Sequence, residues 1–198
     1  MDRREAKLKT SYSIAFSGAP LAGKTTLAFS LAGYLRRQGI PAGLVPEAVR
    51  SSLYFTAGNL CNALNMEVLA LQILAETRER NYNEVVILDR CAYDLIAYFR
   101  LRNAADDPWP IDRSAVEQFL HAHSRIYDIV FLCKFPYQLA HDKFRAIENL
   151  SSQLIADEIE EVLKRSGRKY FIVPRENAFE FVIQTLTELG LPLPTQIK

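Results

Sequence analysis

Residues 18–25 read Gly-Ala-Pro-Leu-Ala-Gly-Lys-Thr and fit the pattern Gly-x-x-x-x-Gly-Lys-Ser/Thr in full. Glycines and a lysine at this spacing suit one task, wrapping main-chain N–H groups around phosphate oxygens. Gly18, Ala19, Pro20, Leu21, Ala22, Gly23 and Thr26 would form the cradle with Lys24 and Thr25. Lys24 is placed to reach the β/γ-phosphates, and the Thr25 hydroxyl to meet Mg²⁺. The motif leaves an apolar run, Tyr12–Ser17, and enters a helical pattern from Leu27 onward. The start of that helix adds a dipole that favours an anion. The chain is therefore expected to bind a nucleoside triphosphate, ATP with Mg²⁺.

Further chemistry sits where other apolar runs end. Asp89 closes Val85-Val86-Ile87-Leu88 and has the form of a Walker-B acid, able to hold Mg²⁺ or orient its waters; capping the next helix is a compatible second role. Glu47 follows Val45-Pro46 and could take a proton from an attacking hydroxyl, or be an exposed turn residue. Arg50, Arg90 and Arg145 are candidates to neutralise charge on a transferring phosphoryl group. No Asp-Glu pair ends the third run, no Asp-x-x-Gly follows the phosphate loop, and no Asn-Lys-x-Asp reads guanine. Those absences speak against a helicase, an AAA+ machine or an ordinary GTPase and leave a kinase of small molecules as the preferred reading.

The elements that must position these residues alternate. Strands are expected at Tyr12–Ser17, Ala42–Pro46, Val85–Asp89, Ile129–Cys133 and Lys169–Pro174, with helices at 24–37, 63–80, 91–103, 113–125, 146–166 and 177–189. Such alternation predicts an α/β fold whose parallel sheet is covered on both faces, with ligands at the carboxyl ends of the strands. Ser114-x-x-Glu117 reads as a capping box, and Gly39 and Gly167 follow helices. Asn103–Asp112, with Trp109 at its centre, reads as a surface excursion.

At 198 residues one domain is the natural count, with residues 1–10 a flexible, charged start lacking the apolar core of a signal peptide. Basic and acidic residues number 24 and 23, a net +1 that calls for no polyanion partner, and no apolar run is long enough for a membrane span. Three cysteines, Cys61, Cys91 and Cys133, without Cys-x-x-Cys spacing suit a reducing cytoplasm. His121 and His123, two apart on a helix, make a poor metal pair.

Three blocks together resemble a known family: Phe16–Ala28, Val45–Arg50, and Leu88-Asp89-Arg90 with Asp94 and Ala97-Tyr98. They resemble phosphate-loop kinases related to nicotinamide riboside kinase and to the deoxynucleoside and thymidylate kinases. They are similar also to the AAA-type ATPase/kinase domain family of bacterial and phage proteins. The resemblance implies Glu47 as the base or the binder of the acceptor hydroxyl, Asp89 as the Mg²⁺-associated acid and Arg90 as a phosphate contact. Asp142-Lys143-Phe144-Arg145 resembles the family's Asp-Gly-x-Arg lid with Lys143 in place of glycine, which implies a lid over 136–146 and Arg145 as its arginine. The fold expected is a three-layer nucleoside/nucleotide-kinase-like sandwich with strand order 2-3-1-4-5. The activity expected is phosphoryl transfer to a nucleoside or nucleotide bound under residues 50–80, where Tyr54, Phe55, Asn59, Asn62 and Gln72 could contact it. An ATP hydrolase or switch working with a partner, and a nucleotide sensor without turnover, stay open beside it, as does a homodimer.

Overall fold

The computed structural model describes residues 11–58, 61–102, 111–134 and 151–191. Expectations for residues 1–10, Asn59, Trp109 and the lid segment 136–146, with Lys143 and Arg145, lie outside them. The three central strands are nearly all apolar, as strands covered on both faces must be. These are β1 (Tyr12–Gly18), β3 (Val85–Asp89) and β4 (Ile129–Cys133). With β2 (Ala42–Val45) and β5 (Phe171–Ile172) they form one parallel sheet, ordered β2-β3-β1-β4-β5. The fold class and strand order read from the sequence are those observed.

Side chains alternate between the two faces with the strand period of two. Ala15, Val86, Leu88, Val130 and Leu132 join one core, beneath α3 (Asn62–Tyr82), α4 (Ala92–Leu101), α5 (Arg113–His123) and part of α6 (Ser152–Ser166). Ile14, Phe16, Val85, Ile87, Ile129 and Phe131 join the other, covered by α1 (Lys24–Arg37) and α7 (Ala178–Glu188). On α1, Leu27, Leu31 and Leu35 recur every four residues and are buried. That single apolar stripe ties the helix carrying Lys24 and Thr25 to the sheet.

Several boundaries differ from expectation for physical reasons. Asp112, not Ser114, caps α5, its side chain accepting from Ala115 N–H at 3.0 Å. Glu117 is drawn away to pair with Arg100. Ser151 caps α6 through Leu154 N–H at 3.1 Å in an extended conformation, so this helix begins at Ser152; the expected helical residues 146–150 lie outside the described residues. At the sheet edge only Phe171 and Ile172 of the expected strand 169–174 pair in the ladder, and Ile172 is 44% exposed. The chain after β2 adds a 3-10 turn (Ala48–Ser51) and a four-residue helix, α2 (Leu53–Thr56), within the segment expected to cover the acceptor. Among the described residues no helix is long and apolar enough to cross a membrane.

Candidate active site

The phosphate loop is built from unusual backbone held by close packing. Gly18, Leu21 and Gly23 all have positive φ, at 126°, 61° and 81°. At Gly18 a Cβ would stand 2.2 Å from the Cys133 carbonyl oxygen, so β4 itself demands glycine there. Ala19 N–H donates to that carbonyl at 3.0 Å, fixing the loop's start to the end of β4. At its far end Gly23 enters α1 without a side-chain cap, which leaves the helix's first N–H groups for an anion.

Lys24 is buried and curls back over the loop. Its Nζ donates to the carbonyls of Gly18 at 2.9 Å and Ala19 at 2.6 Å. Burial, and then the Arg90 charge, lower its pKa to about 8. Phosphate oxygens would replace those two neutral acceptors with charged ones and favour the ammonium form.

Thr25 Oγ1 donates to Asp89 Oδ2 at 2.6 Å, and Asp89 is buried. Its other oxygen, Oδ1, has no hydrogen-bond partner among the described residues. Burial raises the pKa of this carboxyl, with the Thr25 bond pulling the other way. A buried carboxylate oxygen left open beside a threonine hydroxyl is a donor set that suits Mg²⁺, a hard, oxygen-seeking cation. No group of three or more His, Cys, Asp or Glu side chains that could hold a metal occurs among the described residues. His121 and His123 go to carboxylates instead, His123 to Glu76 at 2.8 Å and His121 to Glu117 at 3.6 Å.

Glu47, from the end of β2, and Arg90, from the end of β3, meet between those strands. Arg90 Nε donates to Glu47 Oε1 at 2.5 Å, and Arg50 Nε to Glu47 Oε2 at 2.8 Å. Burial would raise the Glu47 pKa, but Arg90 and the Arg50 bond overcome it and hold the carboxyl at about 2. Glu47 is thus permanently ionised near neutral pH, a strong acceptor of hydrogen bonds and a weak keeper of protons. Arg90 is buried and adopts φ 83°, a costly conformation for a side-chain-bearing residue. Its N–H is held by the Phe16 carbonyl at 2.9 Å.

Asp94, in the first turn of α4, is fully buried. Oδ1 accepts from Arg90 Nη1 at 3.1 Å and from Gly18 N–H at 3.2 Å, and Oδ2 from Cys91 N–H at 3.1 Å. One carboxylate thus joins the phosphate loop, the arginine and the start of α4. Behind it Gln72 Nε2 donates to Glu76 Oε1 at 2.8 Å and reaches the Arg90 carbonyl at 3.4 Å. Buried Glu76 also accepts from the Tyr127 hydroxyl at 3.0 Å, which in turn accepts from Ala92 N–H at 3.1 Å.

Two cavities meet here. One, about 840 Å³, runs along Gly23–Thr26, Phe29, Asp89 and Lys134 to Pro174–Phe179. The other lies between α3 and α4, lined by Phe55, Asn65, Val68, Gln72, Tyr98 and Arg102 among others. Glu47, Arg50 and Arg90 line both. Of the residues expected to face an acceptor, Phe55 and Gln72 line the second cavity and Tyr54 and Asn62 do not. Lys24, Thr25, Asp89, Glu47 and Arg90 come together at the carboxyl ends of the strands. Asp94 was missed as a site residue, although its i,i+4 spacing from Arg90 was a usable signal.

A family model described as an AAA domain matches residues 13–180. Among solved structures, a NadR protein in complex with NR superposes with TM-score 0.73 at 19% identity, over 96% of this chain and 53% of that one. NadR in complex with NAD and AMP-PNP gives TM-score 0.64 at 19% identity, over 96% and 52%. Deoxyadenosine kinase from M. mycoides, with products dCMP and a flexible dCDP bound, gives 0.56 at 18% identity, over 89% and 99%. The chain therefore spans about half the length of the NadR chains. No curated protein matches it by sequence. At these identities the likeness is one of fold, shared with NadR and deoxyadenosine kinase.

Proposed function

Because the chain belongs to the AAA domain family whose model covers residues 13–180, we propose that it is a phosphotransferase moving the γ-phosphoryl group of ATP to a nucleoside or nucleotide. The observation that carries this reading is the pair of cavities with a shared wall of Glu47, Arg50 and Arg90. A hydrolase needs room for water beside the phosphates; a second, mostly apolar-lined cavity opening on the same point suits an organic acceptor. NadR with NR and deoxyadenosine kinase with dCMP support a nucleoside-bearing acceptor.

The geometry supports a role for each residue. Lys24 would exchange its loop carbonyls for the β/γ-phosphates. Thr25 and Asp89 would hold Mg²⁺, which supplies charge neutralisation when bound. Glu47, ionised and fixed by two arginines, would accept a hydrogen bond from the acceptor hydroxyl and aim it. In a loose transition state the hydroxyl loses its proton late, so an acceptor with pKa about 2 suffices. Arg90 would face the charge spreading over the transferred group. A lid over 136–146 carrying Arg145, a single domain over 1–198 and a cytoplasmic setting rest on the sequence and complete the proposal.

Incubation with ATP, Mg²⁺ and pooled nucleosides and nucleotides, followed by mass spectrometry, tests it. A phosphorylated acceptor is expected. ADP and free phosphate without one would instead identify a hydrolase or a partner-dependent switch.

A further inference from the structure

Lys134 stands where β4 ends, one residue past Cys133, whose carbonyl anchors Ala19 of the phosphate loop. It lines the larger cavity together with Lys24, Thr25 and Asp89. Its side chain, 29% exposed, reaches sideways to α6, where Nζ meets Glu160 Oε2 at 2.5 Å. That contact is the leading cause of a lowered pKa at Glu160, ahead of the burial that opposes it. The other Glu160 oxygen lies 3.4 Å from Lys164, which also has Glu161 at 3.5 Å.

A lysine on the wall of the proposed nucleotide site, paired with a carboxylate that lines neither cavity, has two anions to choose between. The geometry points to Lys134 as a second phosphate-binding cation, with Glu160 as the stand-in anion that holds it at the groove wall until a polyphosphate enters. The Glu160 carboxylate is shared between Lys134 and Lys164, so Lys134 faces only part of one negative charge, whereas a triphosphate concentrates several charges in the same groove. Binding then includes an exchange: Lys134 leaves one carboxylate oxygen for phosphate oxygens, and Glu160 keeps Lys164. Glu160 lowers affinity by competing for the lysine.

This rests on the larger cavity being the nucleotide site, and the test separates the two. Calorimetric titrations of MgATP, and of inorganic tripolyphosphate, are made on the unaltered protein, Lys134→Ala, Glu160→Gln and the double variant. Lys134→Ala is expected to weaken both ligands about fivefold to tenfold. Glu160→Gln, which leaves Lys164 its Glu161 partner, is expected to tighten them about threefold. The double variant should match Lys134→Ala, because the carboxylate has no effect without the lysine. Thermal melts confirm that each variant is folded. MgATP binding that is unchanged in Lys134→Ala, or a Glu160→Gln variant that binds more weakly, overturns the exchange while leaving the nucleotide site standing. No binding of MgATP by the unaltered protein overturns both.

Discussion

Asp94→Asn changes one oxygen to an amide and should be costly out of proportion to its size. Every group facing the Asp94 carboxylate is a donor: Gly18 N–H, Arg90 Nη1 and Cys91 N–H, at 3.1 to 3.2 Å, and the Cys91 thiol at 3.5 Å. An asparagine brings its own NH₂ donor into a site with nothing to accept it. Turned toward Arg90 and Gly18, the amide opposes a guanidinium. Turned toward Cys91, it orphans the N–H that caps α4 and still leaves Arg90 short of one negative charge. The lost cap costs about 1 kcal/mol, and the weakened buried pair about 1–3 kcal/mol, since Arg90 keeps Glu47. A total of about 2–4 kcal/mol would lower the melting temperature of a domain this size by roughly 5–15 °C. Urea titrations followed by circular dichroism measure it directly. In the same variant Gly18 and Arg90 lose their common anchor, so kcat should fall roughly tenfold to a hundredfold. Unfolding free energy within 0.5 kcal/mol of the parent value, or an unchanged kcat, would refute the role of Asp94 as the joint between loop and arginine.

Three other outcomes are expected. Lys24→Ala should abolish turnover and weaken ATP binding, read by calorimetry and product assay; full activity would remove the nucleotide site from this loop. Glu47→Gln should lower kcat about a hundredfold with little change in ATP affinity. Because the Glu47 pKa is held at about 2 against an ordinary value of 4.5, its ionised form contributes stability that is complete above 4.5 and is lost as pH falls through about 2. Acid unfolding curves of Glu47→Gln should accordingly show a shallower pH dependence between those values than the parent's, the remainder coming from other paired carboxyls such as Glu117 and Glu160. Gly18→Ala should destabilise by at least about 1–3 kcal/mol from φ alone, with the Cys133 carbonyl contact added, and a melt as high as the parent's would contradict the packing.

What the sequence made legible was local or periodic. The phosphate loop is a contiguous pattern with a fixed mechanical meaning, and the apolar strands β1, β3 and β4 fall within one residue of their expected bounds because both faces are buried. Less could be read where equivalent local patterns compete. Ser114-x-x-Glu117 satisfies the capping rule on paper, but Asp112 reaches the open N–H groups first and Arg100 claims Glu117. The second cavity draws Phe55, Asn65, Val68 and Gln72 from the segment 50–80, but Asp94, Leu95 and Tyr98 of α4 line it as well, and their facing α3 depends on packing that no local pattern records. The Glu47–Arg90 pair spans 43 residues, a separation at which charge pairing leaves no trace in one sequence.

The shared wall between the two cavities bears on how acceptor choice could be redesigned or could drift. Glu47, Arg50 and Arg90 face both chambers, so changing them to admit a new acceptor would disturb the handling of ATP as well. Phe55, Asn65, Val68 and Leu95 line only the inner chamber. They come from α2, α3 and α4, away from the phosphate loop. A library confined to those four positions would vary the size and polarity of the acceptor chamber while leaving the chemistry at its mouth in place. On the proposed function, acceptor specificity would then be separable from catalysis along the shared wall of Glu47, Arg50 and Arg90.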